Sequence, residues 1–206
     1  MMDARKKDER VTMSAAAAPV KPNATMRILK AAGYLFRVHG FAGTSMDAIA
    51  ASARMSKRTL YACFPEKRAI LEAVLDQFIA QRFAAIGRLT LGVSGDDAIL
   101  NTLAQGLKDA ATDQEALVMY RLLIAEAGSL PEMALLASRH GLEQAIDLMR
   151  QPFLNLGVED PAAATRLLYD LAVLAPMHRC LVGTEALHVD VGRIVQIVLA
   201  AMRPAE

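Results

Sequence analysis

Between Ser45 and Phe64 the chain runs SMDAIAASARMSKRTLYACF, two short helical patterns joined by a tight break. Helices joined so closely cross at a steep angle, which demands a small residue where they meet and apolar residues on both inner faces. Ala50 meets the first demand, and Ile49, Ala53, Met55, Leu60 and Cys63 meet the second. The second of these helices opens with Ser56, Lys57, Arg58 and Thr59, so its outer face is polar and cationic. The pattern predicts a helix-turn-helix that presents this face to DNA.

Charge is distributed to match. The 206 residues carry a formal charge of only +1. Positions 21–90, however, hold 11 Lys and Arg against 4 Asp and Glu, whereas positions 91–206 hold 8 against 15. A basic front joined to an acidic back points to a polyanionic partner for the front alone. Cys63 and Cys180 lie far apart in apolar helical patterns and suggest no disulfide framework, which fits a reducing cytoplasm. No apolar run reaches the roughly 20 residues that span a bilayer, and MMDARKKDER lacks the apolar core of a secretory signal. A soluble cytoplasmic protein with no membrane partner is expected.

Residues 1–23 mix charges, the run Ala15 to Ala18 and two prolines without periodicity, and read as a flexible arm. Its Arg5, Lys6, Lys7 and Arg10 suit phosphates or a minor groove. Asn23 or Thr25 is expected to cap a first helix whose inward face is Ile28, Ala31, Ala32, Leu35 and Phe36. Gly40 ends it, Gly43 lets the chain turn again, and Thr44 to Asp47 starts the second helix. Pro65 suits the first turn of a fourth helix with the stripe Ile70, Leu71, Val74, Leu75, Phe78 and Ile79. Five further helical patterns lie near 96–111, 114–128, 131–155, 160–183 and 188–202, with Pro176 kinking or splitting the fourth of them. The expected fold is all-α. A three-helix DNA-binding head and its linking helix occupy 24–84, and a larger helical effector-binding and dimerisation domain occupies 85–206.

Within Met26 to Phe83, the stretch ILKAAGYLFRVHGFAGTSMDAIAASARMSKRTLYACFPEKRAIL resembles the DNA-binding head of the TetR family of transcriptional regulators. The match is carried by His39-Gly40-Phe41, Gly43-Thr44-Ser45, Ile49-Ala50, Ser56-Lys57, Leu60-Tyr61, Phe64 and Lys67. The segment MYRLLIAEAGSLPEMA is similar to one C-terminal type in that family. The resemblance implies a helical ligand and dimer domain behind the head, and repression as the usual outcome of DNA binding. Two positions depart from the family pattern. Arg54 stands where glycine is preferred, at a cost of about 1 kcal/mol if φ is positive there. Arg58 stands where glycine is frequent and adds a long donor to the DNA-facing side.

A major groove admits one helix, whose N-terminal side chains reach base edges. Lys57, Arg58 and Thr59 are placed for that, Arg58 as a fork for guanine. Thr44, Ser45, Ser56, Tyr61 and Lys67 are assigned to phosphates. One head offers too little contact for a specific site, so a homodimer on a palindromic operator in double-stranded DNA is expected. The candidate interface is Leu167, Leu168, Leu171 and Leu174 on one helix and Ile194, Val195, Val198, Leu199 and Met202 on the other, paired as a four-helix bundle. A pocket for an apolar small-molecule effector is assigned to Leu103, Leu107, Met119, Leu122, Leu123, Met133, Met149, Phe153 and Met177.

Enzymatic function is not expected. His39, His140, His178 and His188 fall in no HxxxH or HExxH spacing, and neither CxxC, G-x-S-x-G nor a phosphate-cradling glycine run occurs. No cofactor or metal is implied. The alternative is a non-specific or architectural DNA-binding protein, whose affinity would be steeply salt-dependent and nearly blind to sequence.

Overall fold

The computed structural model describes residues 22–184 and 189–203, and every regular element among them is helical. Arg5, Lys6, Lys7, Arg10 and His188 lie outside the described residues. Helices α1 (Pro22–His39), α2 (Met46–Ser52) and α3 (Lys57–Cys63) make the head, and α4 (Lys67–Arg88) leads out of it. There follow α5 (Asp96–Thr112), α6 (Gln114–Glu126), α7 (Pro131–Asn155), α8 (Pro161–Tyr169), a π-helical segment Asp170–Leu174, α9 (Ala175–Leu181) and α10 (Val191–Met202).

Short polar side chains set where these helices begin. The hydroxyls of Ser45 and Ser56 accept from the amides of Ala48 and Thr59, each at 3.1 Å, and Asp113, Asp160 and Asp190 cap α6, α8 and α10 in the same way. Two expected starts are corrected. Helix α1 already begins at Pro22, where the missing N–H costs nothing, so Asn23 and Thr25 lie inside the helix and do not cap it. Helix α4 begins at Lys67 with Glu66 at its cap, leaving Pro65 just outside. At Pro176 the helical winding does not stop. Residues 170–174 wind wider, so that the amide of Ala175 reaches back to the carbonyl of Asp170, and Pro176 enters the first turn of α9, where no donor is required.

Two apolar clusters hold the helices together. One lies among α5, α7, α8, the π-helical segment and α10, around Leu100, Leu103, Met149, Phe153, Leu168, Val195 and Val198. The other fills the head around Ile28, Phe36, Ile49, Leu60, Ile70 and Leu71, and continues without a break into Met119, Leu122 and Leu123 of α6 and Met133 of α7. The head therefore rests on α6 as well as hanging from α4. Among the described residues, no helix is long and apolar enough to cross a membrane.

Candidate functional site

The turn between α2 and α3 fixes how the third helix is presented. Arg54 takes φ +52°, the left-handed conformation that glycine adopts most readily. Its amide donates to Ala51 and the amide of Met55 donates to Ala50, each at 3.0 Å, the paired bonds of a Schellman helix end. The turn is clamped from α1, where Nη2 of Arg27 donates to the carbonyls of Ala53 and Arg54, the latter at 2.8 Å. Arg27 was not evident as a site residue, because nothing local marks a side chain whose partners lie 26 and 27 positions away.

The eight assigned DNA-facing residues separate into two groups. Ser45, Ser56, Lys57, Arg58, Thr59 and Tyr61 are exposed around the α3 N-terminus, with Tyr61 50% exposed. Ser56 and Thr59 share a hydroxyl hydrogen bond of 2.8 Å. Nζ of Lys57 donates to Oδ2 of Asp47 at 2.6 Å, and this hydrogen bond and charge hold its pKa above the usual lysine value. Arg58 is exposed, and among the described residues no carboxylate pairs with it.

Thr44 and Lys67 instead make contacts within the head. Thr44 is only 3% exposed and its hydroxyl donates to the Gly40 carbonyl at 2.8 Å, so it braces the loop after α1. Nζ of Lys67 donates to the carbonyls of Phe41 and Thr44 at 2.6 and 2.7 Å and sits 4.3 Å from the centre of the Phe41 ring. An ammonium has three donors, and these contacts occupy them as a strut between α4 and the loop. Gly43 completes the loop, since a Cβ there would lie 2.3 Å from the His39 carbonyl oxygen.

A clamped turn, two serine-capped helices and an exposed cationic third helix form one constellation, and residues 28–74 match the family model of bacterial regulatory proteins of the tetR family. Over these 47 residues the head is similar to the TetR-family DNA-binding domain. Solved structures of TetR-type proteins share the fold over nearly the whole chain. A protein from Mesorhizobium loti assigned to the TetR family of transcriptional regulators is 24% identical, with a TM-score of 0.70, covering 88% of this chain and 96% of that one. The flavonoid-responsive regulator FrrA is 22% identical, with a TM-score of 0.69, covering 90% and 100%. The multidrug-binding protein EbrR, solved with imidazole, is 20% identical, with a TM-score of 0.62, covering 90% and 98%. No curated protein matches the sequence.

Behind the TetR-type head lies an apolar cavity of about 60 Å³ between α4, α5, α6, α7 and α8. Of the nine residues assigned to a pocket, Leu107, Met119 and Leu123 line it. Leu103, Met149, Phe153 and Met177 are instead packed in the body's core, and Leu122 and Met133 belong to the cluster shared with the head. Helical spacing marks an inward face without saying whether that face meets a neighbour or a void. The wall that spacing missed comes from the C-terminal half of α4, with Phe78, Arg82 and Phe83, and from Tyr120, Gly141 and Tyr169. A Cβ on Gly141 would lie 3.2 Å from the Tyr169 hydroxyl, so the bare glycine admits that hydroxyl to α7.

The dimer residues also divide. Leu168, Val195, Val198 and Leu199 are buried within the subunit, because these stripes face α5 and α7 and form its core. Leu174, Ile194 and Met202 are half-buried against the same cluster. Leu167 and Leu171 remain 37% and 42% exposed, and Ile197 of α10, which spacing did not select, is 52% exposed.

Proposed function

We propose that the chain is a ligand-responsive transcriptional regulator of the TetR type, working in the cytoplasm as a homodimer that represses by occupying a palindromic operator. Residues 24–84 bind DNA, residues 85–206 bind the effector and the second subunit, and neither part catalyses a reaction. The reading rests on the exposed N-terminus of α3, where Lys57, Arg58 and Thr59 stand on a clamped turn. A fork-shaped guanidinium with no carboxylate partner among the described residues suits guanine O6 and N7, while Lys57 must first exchange Asp47 for DNA. Ser45, Ser56 and Tyr61 are the phosphate contacts consistent with exposure.

The cavity beside α4 supports the effector assignment, and the likeness in fold to a flavonoid-responsive regulator and a multidrug-binding protein is in keeping with it. An effector acts by preferring the body shape that sets the heads at the wrong separation, since equal affinity for both shapes shifts nothing. The exposed apolar residues Leu167, Leu171 and Ile197 supply the dimer face in place of the buried ones.

Selection of duplexes from a random pool, followed by competition against random DNA, tests the reading. Replacing Arg58 with Ala is expected to weaken the selected duplex by about 1–3 kcal/mol while changing random DNA far less. Equal affinity for selected and random duplexes would establish the architectural alternative.

A further inference from the structure

Arg82 of α4 has five N–H donors, and four of them are accounted for. Nη1 donates to the Ala110 carbonyl at 2.8 Å and to Oδ2 of Asp113 at 2.5 Å, while Nη2 donates to Oδ1 of Asp113 at 3.0 Å and approaches Oε2 of Glu115 at 3.4 Å. The guanidinium also lies 4.3 Å over the Phe78 ring. The fifth donor, Nε–H, is buried, and among the described residues no acceptor reaches it. Arg82 lines the cavity together with Tyr120 and Tyr169.

The electrical balance of this cluster decides what it can recognise. Asp113 grips the guanidinium with both oxygens and Glu115 lies beside it, so the positive charge is already met. A bound anion would be a third carboxylate near two others, and like charges held that close repel. What is left unmet is a hydrogen bond. A buried donor without an acceptor is unfavourable, and a neutral oxygen satisfies it without adding charge. The remaining wall, including Phe78, Leu107, Met119 and Leu123, is apolar. Its volume of about 60 Å³ is below the roughly 150 Å³ of an engineered cavity that takes benzene, so a ligand must push the wall apart. Met119, flexible and unbranched, is suited to yielding.

Building on the effector reading above, we propose that the cavity selects a neutral one-ring aromatic compound bearing a single acceptor oxygen, such as an aryl ketone, and that Nε–H of Arg82 with the Tyr120 and Tyr169 hydroxyls reads that oxygen.

Ligand-observed NMR titration of the full chain tests this with three probes of nearly equal shape: acetophenone, α-methylstyrene with CH2 in place of the oxygen, and benzoate. Acetophenone is expected to bind at least tenfold tighter than either of the others. Arg82→Lys keeps a cation for Asp113 but removes Nε–H, and it should bring acetophenone down to the α-methylstyrene level while leaving the latter unchanged. Comparison of the three probes on the unaltered chain stands even if that variant melts early. Equal binding of ketone and hydrocarbon overturns the acceptor assignment and leaves the effector cavity intact. Tightest binding by benzoate, or a ketone preference that survives in folded Arg82→Lys, overturns it as well. Binding of none of the three overturns both the assignment and the cavity reading on which it rests.

Discussion

In the head the polar side chains that matter structurally are satisfied, whereas the body keeps an unmet donor beside a void. Thr44, Lys67 and Arg27 each spend their donors on backbone carbonyls of the loops that position α2 and α3. Around the cavity, Arg82 retains a buried N–H without an acceptor among the described residues, and the π-helical segment follows Tyr169 directly. A surface that must meet a groove of fixed width gains from rigidity. A site that must change shape when filled gains from slack. On the proposed function, the contrast sets a braced DNA-facing region against a body with an unsatisfied donor at its cavity, although α6 belongs to both.

Two glycine substitutions probe that contrast most severely. Gly43→Ala would press a Cβ to 2.3 Å from a backbone carbonyl that cannot retreat, and should destabilise the head by about 3 kcal/mol or more. Gly141→Ala meets only the far end of a phenol at 3.2 Å, which can tilt into the cavity, so about 1 kcal/mol or less is expected. Urea unfolding of both variants measures the difference. Similar losses would show the body to be as tightly packed as the head.

Arg54→Gly is the next largest effect and has the opposite sign. The left-handed φ of +52° strains a side chain and not a glycine, and the greater freedom of glycine in the unfolded chain offsets only part of the relief. The urea midpoint should rise by the equivalent of about 0.5 kcal/mol at constant slope. A fall would mean that the Arg54 side chain contributes contacts outweighing its strain.

These residues also show what the sequence makes legible. The head could be read because its determinants are local: a small residue at a helix crossing, serines one position ahead of helices, glycines around a loop, cations at the start of α3. Arg54 was even marked as a strained position from its place in the pattern. The loop contacts of Thr44 and Lys67 were not legible, because a donor aimed at DNA and one aimed at a carbonyl of a neighbouring loop have the same local sequence context. The helices of the body were equally legible, but the cavity was not. Its wall joins the far half of α4 to Tyr120, Gly141 and Tyr169, and a void is defined by how helices sit against each other. For the same reason apolar periodicity assigned Leu168, Val195, Val198 and Leu199 to a partner when they face the subunit's own core.

A smaller effect follows pH at the α5–α6 junction. Burial works to raise the Asp113 pKa, but hydrogen bonds from Arg82 and the Ala116 amide outweigh it and hold the carboxyl below its usual range. A depressed folded pKa adds stability that is complete above the unfolded value near about 3.9 and is lost as pH falls through the lower folded value. The side chain is 43% exposed, so screening keeps the contribution small. Asp113→Asn should therefore flatten the stability profile below about pH 4. Its curve running parallel to that of the unaltered chain would remove Asp113 from the account.

The smallest change in stability tests the junction itself. Arg37 of α1 pairs with Glu115 of α6 at 3.2 Å, and Glu115 also approaches Arg82, so one carboxylate links the head to the residue that faces the cavity. At the α6 C-terminus, Glu126 accepts from the Ala42 amide at 3.4 Å, a second tie to the same head. With side chains 31% and 53% exposed, the Arg37–Glu115 pair should contribute only about 0.5 kcal/mol. Arg37→Ala is therefore expected to leave the melting temperature nearly unchanged yet speed amide hydrogen exchange in α1 and the first turn of α6. Loosening confined to α1 would mean that the ion pair merely decorates the head. Faster exchange on both helices would show that α6 is coupled to the head, as the proposed effector response requires, since α6 shares side-chain contacts with both the head and the cavity wall.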